Sequence, residues 1–417
     1  MSRRTRSWSI ALACAATTLA SASSAVAAGF AAPDTPGPAL SVAQDKLDAA
    51  LQCSAKGVDH ATRAPVLLVQ GTGASAKDNW SWTYEPALDK LGIGWCAVDL
   101  PDHATGDVQV NGEYVVNAIR RMHARAGRRI AIIGHSQGGM VPRWALRFWP
   151  DTRPMVDDLI GFAPSNHGTI TAGPTCNDAD GCSAADWQQA DTSQFMKALN
   201  SFAETWKGTS YTNVYTHNDE IVQPNRDATG SSSLHTGEGA ITNVATQDLC
   251  PSDPYEHLSI GLVDPVAYAL AVDALNHPGP ADPKRIGLEV CAQDVHPGIN
   301  RATYAKDASD AAADYAAYNS KALHAEPPLA CYTTASCAPR TCRSRRVFTV
   351  HLAALRHARL TLDGKAVKLH RTGGRLTALV DLRGRGATVV VLRLRGRDAR
   401  GRAVTLTRRY HPCVRRG

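Results

Sequence analysis

The run Ile130–Ile133 and the pentapeptide Gly134–Gly138 that follows it constrain the fold more than any other part of the chain. The run is apolar and mostly β-branched, as in a buried strand, and the residues from Met140 onward are compatible with a helix. A serine between two glycines at such a junction matches the G-x-S-x-G elbow, in which a sharp turn presents the hydroxyl at the edge of a sheet. The partial positive charge at the N-terminus of the following helix favours an oxyanion there. The pattern therefore predicts that Ser136 is a nucleophile.

Residues 46–325 alternate between strand-like and helix-like segments. Tyr114–Ala126 has apolar residues at helical spacing, and Gly127 is placed to end that helix. The runs expected to form strands are Ala64–Gln70, Gly94–Leu100, Ile130–Ile133, Leu159–Ala163, Thr212–Thr216 and Ala240–Val244. This alternation predicts a doubly wound, mostly parallel sheet with catalytic groups beyond the carboxyl ends of its strands. Together with the G-x-S-x-G elbow, the pattern resembles the α/β-hydrolase fold.

Residues 326–417 follow another pattern. Short runs of alternating apolar and polar residues, such as Val347–Leu352, are separated by turn signals that include Asp363-Gly364 and Gly373-Gly374. We predict a small antiparallel, sandwich-like all-β domain of about five strands in this region.

Charge also divides the chain. Residues 340–417 contain 21 Lys and Arg against 3 Asp and Glu, whereas the preceding part is near −14 once the three N-terminal arginines are set aside. Such a step is typical of a domain boundary. The basic residues either form a solvated face that keeps the β domain soluble or contact an anionic surface or polymer. Nucleic acid is not expected as a partner, because no aromatic stacking motif accompanies the arginines.

Residues 1–27 are predicted to be a signal peptide. They contain three arginines, an apolar stretch from Ile10 to Ala20 and an Ala25-Val26-Ala27 cleavage site. No later apolar run reaches about 18 residues, so we expect a secreted, extracellular protein without a transmembrane segment. Residues 28–45 are rich in Ala, Pro and Gly and are expected to be a flexible lead-in.

Ten cysteines follow the predicted signal peptide, an even number that suits disulfides in an oxidising compartment. Spacing alone leaves their connectivity open. The spacing is compatible with the pairs Cys53–Cys96, Cys176–Cys182, Cys250–Cys291, Cys331–Cys337 and Cys342–Cys413. A metal site is not expected, because the sequence has no C-x-x-C pair, and no cofactor is expected.

A catalytic serine needs a base, and the base needs a carboxylate that orients it. In this fold the carboxylate follows the serine along the chain, in a loop after a strand. Asp219 comes soon after the expected strand Thr212–Thr216 and is the predicted carboxylate. The adjacent Glu220 is the alternative.

The base is expected last in the chain. His257 follows the last expected strand and precedes a helix that Asp264 could cap and Pro265 could open. We therefore predict His257 as the base. His235, which precedes that strand, is the alternative, whereas His135 lies inside the elbow and is badly placed to accept the proton of its neighbour.

The oxyanion hole of this fold uses the backbone N–H after the nucleophile and a donor from the loop after an early strand. The first donor would be Gln137. The second would be Thr72, within Gly71-Thr72-Gly73, which directly follows the first buried strand.

Several stretches together resemble the Candida antarctica lipase B-like family of secreted lipases, over roughly residues 46–300. They are Leu67–Gly73, Val110–Ile119, Ser136–Gly139, Gly161–Pro164 through Gly168-Thr169, and Asp219–Pro224. The resemblance implies Ser136, Asp219 and His257 as the triad and Thr72 with Gln137 as the oxyanion hole. It also implies pairings such as Cys53–Cys96 and Cys250–Cys291, and cofactor-free hydrolysis of carboxylic esters, including triacylglycerols.

The chain departs from the family pattern in four places. His135 replaces a bulky aromatic residue beside the serine, and Ser165 stands where an acidic residue is expected. The stretch Thr175–Ala184 alters the lid region, and the basic β domain is additional. We expect a secreted lipase or carboxylesterase. The alternatives are an esterase or depolymerase that acts on polymeric or surface-bound esters, and a non-catalytic binding protein.

Overall fold

The computed structural model describes residues 29–410, except 173–175, 177–179, 319, 337–343, 345, 373, 384 and 386–388. The predicted signal peptide therefore lies outside the described residues. The chain divides into two compact units, Met1–Cys337 and Ala338–Gly417. We call them the α/β unit and the β unit.

The α/β unit is organised around one mostly parallel sheet. Its strands are β1 (Leu51–Cys53), β2 (Val66–Val69), β3 (Trp95–Val98), β4 (Ile130–His135), β5 (Val156–Phe162), β6 (Ser210–Tyr215) and β7 (Ala240–Ala245). The strand order is β1-β3-β2-β4-β5-β6-β7. All neighbours pair in parallel except β1, which runs antiparallel to β3 at the edge. The predicted α/β-hydrolase fold class is confirmed.

Helices connect these strands and cover both faces of the sheet. They are α1 (Gln44–Ala49), α2 (Ala76–Trp80), α3 (Tyr84–Lys90), α4 (Val108–Ala126), α5 (Gln137–Phe148), α6 (Ala184–Gln189), α7 (Gln194–Leu199), α8 (Thr246–Leu249), α9 (His257–Leu262), α10 (Pro265–Asn276) and α11 (Tyr304–Ala317). As predicted, Asp264 caps α10, its carboxylate accepting from the backbone N–H of Val266. Gly127 ends α4 in the left-handed conformation, with φ of 67°.

Successive side chains of a strand point to opposite faces of a sheet, and β2 shows how this divides the core. Leu67 and Val69 pack into one buried cluster together with α4 and α5. Val66 and Leu68 pack into a second cluster on the other face, with α3 and α10. An uninterrupted apolar strand is required because both faces are covered.

The segment expected to be a flexible lead-in is held against the α/β unit. Trp149 donates from its indole N–H to the carbonyl of Pro38 at 2.9 Å, and Arg153 pairs with Asp34 at 2.8 Å. The Ser41 hydroxyl donates to the Glu113 carboxylate at 2.7 Å. These long-range polar partners connect residues 34–41 to the α/β unit, in a sequence that composition alone assigns to a linker.

The stretch after α11 also packs on the α/β unit. The Tyr332 hydroxyl accepts from the indole N–H of Trp144 at 3.0 Å. The backbone N–H of Phe195 donates to Glu326 at 2.8 Å. The predicted boundary at 325/326 therefore precedes residues that contact the α/β unit.

The β unit consists of two small antiparallel sheets. Its strands are β8 (Val347–Leu352), β9 (Arg356–Leu362), β10 (Lys365–Val367), β11 (His370–Thr372), β12 (Arg375–Asp381), β13 (Val390–Arg397) and β14 (Ala403–Tyr410). The sheet orders are β10-β9-β13-β14 and β11-β12-β8. Val350 and Val380 of one sheet share a buried cluster with Leu360 and Leu394 of the other. The predicted all-β region is confirmed, with more strands than the five expected.

Three predicted disulfides are present: Cys53–Cys96, Cys176–Cys182 and Cys250–Cys291. Cys53 and Cys96 lie opposite each other on β1 and β3, so the bridge joins two neighbouring strands. Cys331 is in a disulfide, but Cys337, Cys342 and Cys413 lie outside the described residues.

Among the described residues, one helical segment has the length and composition of a membrane span. It is His257–Asn276, and 61% of its most apolar window is buried within the fold. The segment comprises α9 and α10, which are separated by the buried carboxylate of Asp264.

Candidate active site

Ser136 lies at the sharp turn between β4 and α5. Its backbone has φ of 54° and ψ of −124°, a combination that L-residues rarely adopt. A side chain on Gly134 would overlap the carbonyl oxygen of Gly138, and one on Gly138 would overlap that of Val69. Both flanking glycines are therefore required by close backbone approach, and the turn has the geometry predicted for the elbow.

Asp219 and His257 meet beyond the carboxyl end of β6. The Nδ1 atom of His257 lies 3.0 Å from each carboxylate oxygen of Asp219, and both side chains are almost completely buried. The carboxylate also accepts from the backbone N–H groups of Ile221 and Val222, at 3.0 and 2.7 Å. Because these donors fix the carboxylate, it can hold the imidazole in one orientation.

This contact also sets the tautomer of His257. A carboxylate that accepts from Nδ1–H leaves Nε2 with a free lone pair, which is the form that a general base requires. Glu220, the alternative carboxylate, accepts instead from the backbone N–H of His257 at 3.2 Å. The alternative histidine, His235, belongs to a different cluster, where its backbone N–H donates to Glu204 at 2.6 Å.

His135 is buried against His257. Its Nε2 atom lies 2.9 Å from the carbonyl oxygen of His257, and its Nδ1 atom lies 3.4 Å from the amide nitrogen of Asn79. Burial lowers the pKa of His135 to about 3, and the neighbouring His257 contributes to this shift. The ring is therefore neutral, and Nε2 must carry the proton because a carbonyl oxygen only accepts.

Thr72 follows β2 and receives two amide donors. Gln137 and Gln189 donate from their side-chain nitrogens to its hydroxyl oxygen, at 2.8 and 2.9 Å. Asn111 donates to the amide oxygen of Gln137 at 3.0 Å, and Ser165 donates to that of Gln189 at 2.8 Å. A hydroxyl has two acceptor positions and one donor, so these contacts leave the O–H hydrogen of Thr72 available for a further acceptor.

A segment with left-handed backbone conformation is hydrogen-bonded to this loop. Asp102, His103 and Ala104 have φ of 52°, 51° and 59°. The carbonyl of His103 accepts from the backbone N–H of Gly73 at 2.8 Å, and the carbonyl of Ala104 accepts from the Gln137 side chain at 2.9 Å. Such conformations are energetically costly and persist only where the surroundings enforce them. Here they position both predicted oxyanion residues.

A cavity of about 520 Å³ opens over these groups and is lined by Thr72, Ser136 and His257. Its remaining lining comes mainly from the loops around residues 169–172 and 220–222, the start of α9, and α11. Ile221, Leu258 and Tyr315 line it while remaining 38, 42 and 45% exposed. The cavity mouth therefore presents an apolar rim to the surroundings.

All the predicted triad residues contribute to this region. Ser136 and His257 share the cavity, and Asp219 contacts His257 directly. The sequence patterns did not identify Asn79 or Gln189, which contact His135 and Thr72. The exchange at Ser165, where the family pattern has an acidic residue, was a sequence signal for Gln189. Such an exchange changes which polar side chains can pair nearby, and the Ser165 hydroxyl donates to the amide oxygen of Gln189. No cluster of three or more His, Cys, Asp or Glu side chains suited to a metal ion occurs within the described part of the chain.

The sheet topology and the serine at the turn after β4 define the chain as an α/β-hydrolase. Residues 113–257 match the family model described as lipase (class 2). The chain is 37% identical over 217 residues to lipase B of Pseudozyma antarctica, which covers 51% of this chain and 61% of that relative. The matched part of this chain thus spans about three fifths of the length of that relative.

A solved structure supports the same relationship. The chain is similar to lipase B of Aspergillus fumigatus, with 29% identity and a TM-score of 0.66, covering 74% of this chain and 79% of that one. Both comparisons find the chain similar to lipase B, in agreement with the resemblance that the sequence motifs carry.

Proposed function

We propose that the protein is a serine hydrolase of carboxylic esters. The observation that carries the proposal is the meeting of separate chain segments at one cavity. Ser136 and His257 both line it, and the ring of His257 lies 3.0 Å from a buried carboxylate. The class 2 lipase match and the similarity to lipase B support the same reaction.

In the proposed reaction, the Ser136 oxygen attacks the ester carbonyl while Nε2 of His257 accepts the hydroxyl proton. Asp219 holds the imidazole and stabilises its positive charge. The Thr72 hydroxyl and the backbone N–H of Gln137 donate to the oxyanion, where one donor is typically worth about 3 kcal/mol. His257 then protonates the departing alcohol, and water resolves the acyl-enzyme.

We further propose that the substrates are lipid esters such as triacylglycerols. The exposed apolar side chains of Ile221, Leu258 and Tyr315 at the cavity mouth suit acyl chains and an oil surface better than a small polar ester. The cavity volume of about 520 Å³ is within the range typical of small-molecule sites. An exported protein is consistent with the three disulfides, which form and persist in oxidising compartments.

The basic β unit favours a related alternative, in which the enzyme acts on polymeric or surface-bound esters. We propose that this unit contacts an anionic surface or polymer and thereby holds the catalytic unit near its substrate. The supporting observation is the composition of positions 340–417, which contain 21 basic and 3 acidic residues.

Hydrolysis of emulsified triolein, a polyester film and soluble p-nitrophenyl esters from short to long acyl chains separates these possibilities. The proposal predicts turnover of long-chain esters and of triolein, lost in Ser136→Ala. Turnover of the polyester film in preference to triolein would favour the polymeric-ester alternative. Absence of turnover on every ester would overturn the proposal and favour a binding protein.

A further inference from the structure

Six exposed arginines of the β unit share one sheet face. In β13, Leu392 and Leu394 are buried, so the alternate side chains point outward. Cross-strand partners share a face, and Arg359 and Arg356 of β9 lie opposite Arg395 and Arg397 of β13. The outward positions of the sheet, which we call the arginine face, hold six exposed arginines: Arg356, Arg359, Arg393, Arg395, Arg397 and Arg409.

These arginines lack acidic partners among the described residues. Positions 340–417 contain three carboxylates in all. Asp381 pairs with Arg383 at 2.6 Å, Asp398 pairs with Arg402 at 2.9 Å, and Asp363 pairs with Arg385. Every acidic side chain of this region is thus paired with an arginine that is not part of the arginine face.

The arrangement disfavours folding of the sheet itself. Like charges directly opposite each other on neighbouring strands repel, and two such pairs occur here, Arg359 opposite Arg395 and Arg356 opposite Arg397. The second sheet differs: its outward face includes Arg375, Leu379 and Asp381, a mixture of charged and apolar residues. The arginine face thus differs from the outward face of β12 in carrying arginines at neighbouring positions without an interspersed acidic residue.

We propose that the arginine face binds an anionic polysaccharide, a proposal that rests on the contact proposed above for the β unit and defines it further. Neighbouring strands lie about 5 Å apart and alternate residues of one strand about 7 Å apart. The guanidinium groups therefore form a two-dimensional array that can meet successive carboxylate or sulfate groups of a flexible chain. Each group can donate two parallel hydrogen bonds to such an anion.

The residues between the arginines favour a hydrated polymer over a bilayer or a nucleic acid. Thr361, Thr405 and Thr407 occupy outward positions paired with or adjacent to the arginines. Their hydroxyls can donate to and accept from sugar hydroxyls. The described outward positions of this sheet contain no aromatic side chain that could stack on a base or anchor in a lipid interface.

Fluorescence anisotropy of labelled heparin tests the proposal with the full mature chain. Arg359→Gln/Arg393→Gln/Arg395→Gln removes three central charges. Lys365→Gln/Lys368→Gln/Arg375→Gln removes the same charge from exposed positions off the arginine face and is the matched control. We expect the first triple variant to raise the Kd by at least about tenfold and the control by less than about threefold, with wild-type binding weakened by salt.

Equal weakening by the two triple variants would overturn the proposal, because net charge alone would then explain binding. Phosphatidylglycerol vesicles or single-stranded DNA bound more tightly than heparin, at equal anionic charge, would also overturn it in favour of another partner class. Both variants should retain wild-type turnover of soluble esters. The control should keep the wild-type thermal midpoint, and the first triple variant should have a midpoint at least as high as wild type because it relieves the repulsion between Arg359 and Arg395. A wild-type chain that binds heparin without hydrolysing any ester would refute the proposed activity and leave the binding result to stand.

Discussion

His135 donates a hydrogen bond from Nε2 to the backbone carbonyl of His257 across 2.9 Å. The residue immediately before the proposed nucleophile thus fixes the backbone of the proposed base, and their rings lie 5.2 Å apart. Ser136 and His257 are 121 positions apart in the sequence. A direct hydrogen bond between the segments that carry them limits the distance between the imidazole and the Ser136 hydroxyl. We infer that His135 is a positioning residue.

His135→Phe retains the ring volume but removes the donor, leaving the carbonyl of His257 without this partner. We expect kcat/KM for a soluble ester to fall roughly tenfold, with kcat carrying most of the loss. His135→Gln, which has an amide donor, should recover much of the activity. Equal activity in wild type and His135→Phe would show that the contact does not position the base.

The neutral state of His135 also predicts a pH effect on stability. Burial depresses its pKa from 6.5 to about 3. The contribution of neutral His135 is therefore fully present above pH 6.5 and is lost as the pH falls toward 3, because the unfolded chain binds a proton that the folded chain does not.

The stability of wild type relative to His135→Gln should accordingly decline by about 1.4 kcal/mol per pH unit between about pH 6 and pH 4. Urea unfolding of both proteins across this range measures the difference, in which contributions from other titrating groups cancel. A difference independent of pH would mean that His135 is accessible to protons in the folded state.

Thr72 provides a test of the oxyanion site. Its hydroxyl accepts from Gln137 and Gln189, leaving its own hydrogen for the developing oxyanion. Thr72→Val is nearly isosteric and should lower kcat about 100-fold, whereas Thr72→Ser should retain most of the activity. If Thr72→Val changes KM and leaves kcat intact, the hydroxyl serves substrate binding and not the transition state.

The disulfides should differ in their contributions to stability. Cys250–Cys291 closes a loop with a sequence separation of 41 and Cys176–Cys182 one of 6. Chain entropy predicts losses of about 4 kcal/mol and about 2 kcal/mol when each pair is replaced by serine. Thermal unfolding of the two double variants should rank them in this order. The reverse order would indicate that native contacts, and not loop closure, dominate.

The parts of the fold that sequence patterns predicted are those governed by local chemistry. The elbow at Ser136, the cap at Asp264 and the end of α4 at Gly127 each depend on residues within a few positions of one another. Chain order and the strand pattern then placed Asp219 and His257 at the same edge of the sheet. Those features could be read without coordinates because the periodicity and the turn chemistry agree.

The parts that were missed depend on contacts between distant segments. Gln189 reaches Thr72 across 117 positions, and no local pattern marks either side chain as the partner of the other. The lead-in has the composition of a linker, yet Asp34 and Pro38 bind side chains of the residues around Trp149. The β unit has more strands than the five expected, and two of them, β10 and β11, are only three residues long, too short to show a clear alternation.

Covalent labelling with a fluorophosphonate probe, followed by peptide mass spectrometry, tests the central claim most directly. The proposed site predicts one adduct, on the peptide that contains Ser136. The adduct should be absent in Ser136→Ala and its formation slowed at least about 1,000-fold in His257→Ala. Labelling that persists in Ser136→Ala, or that proceeds at the wild-type rate in His257→Ala, would contradict the account.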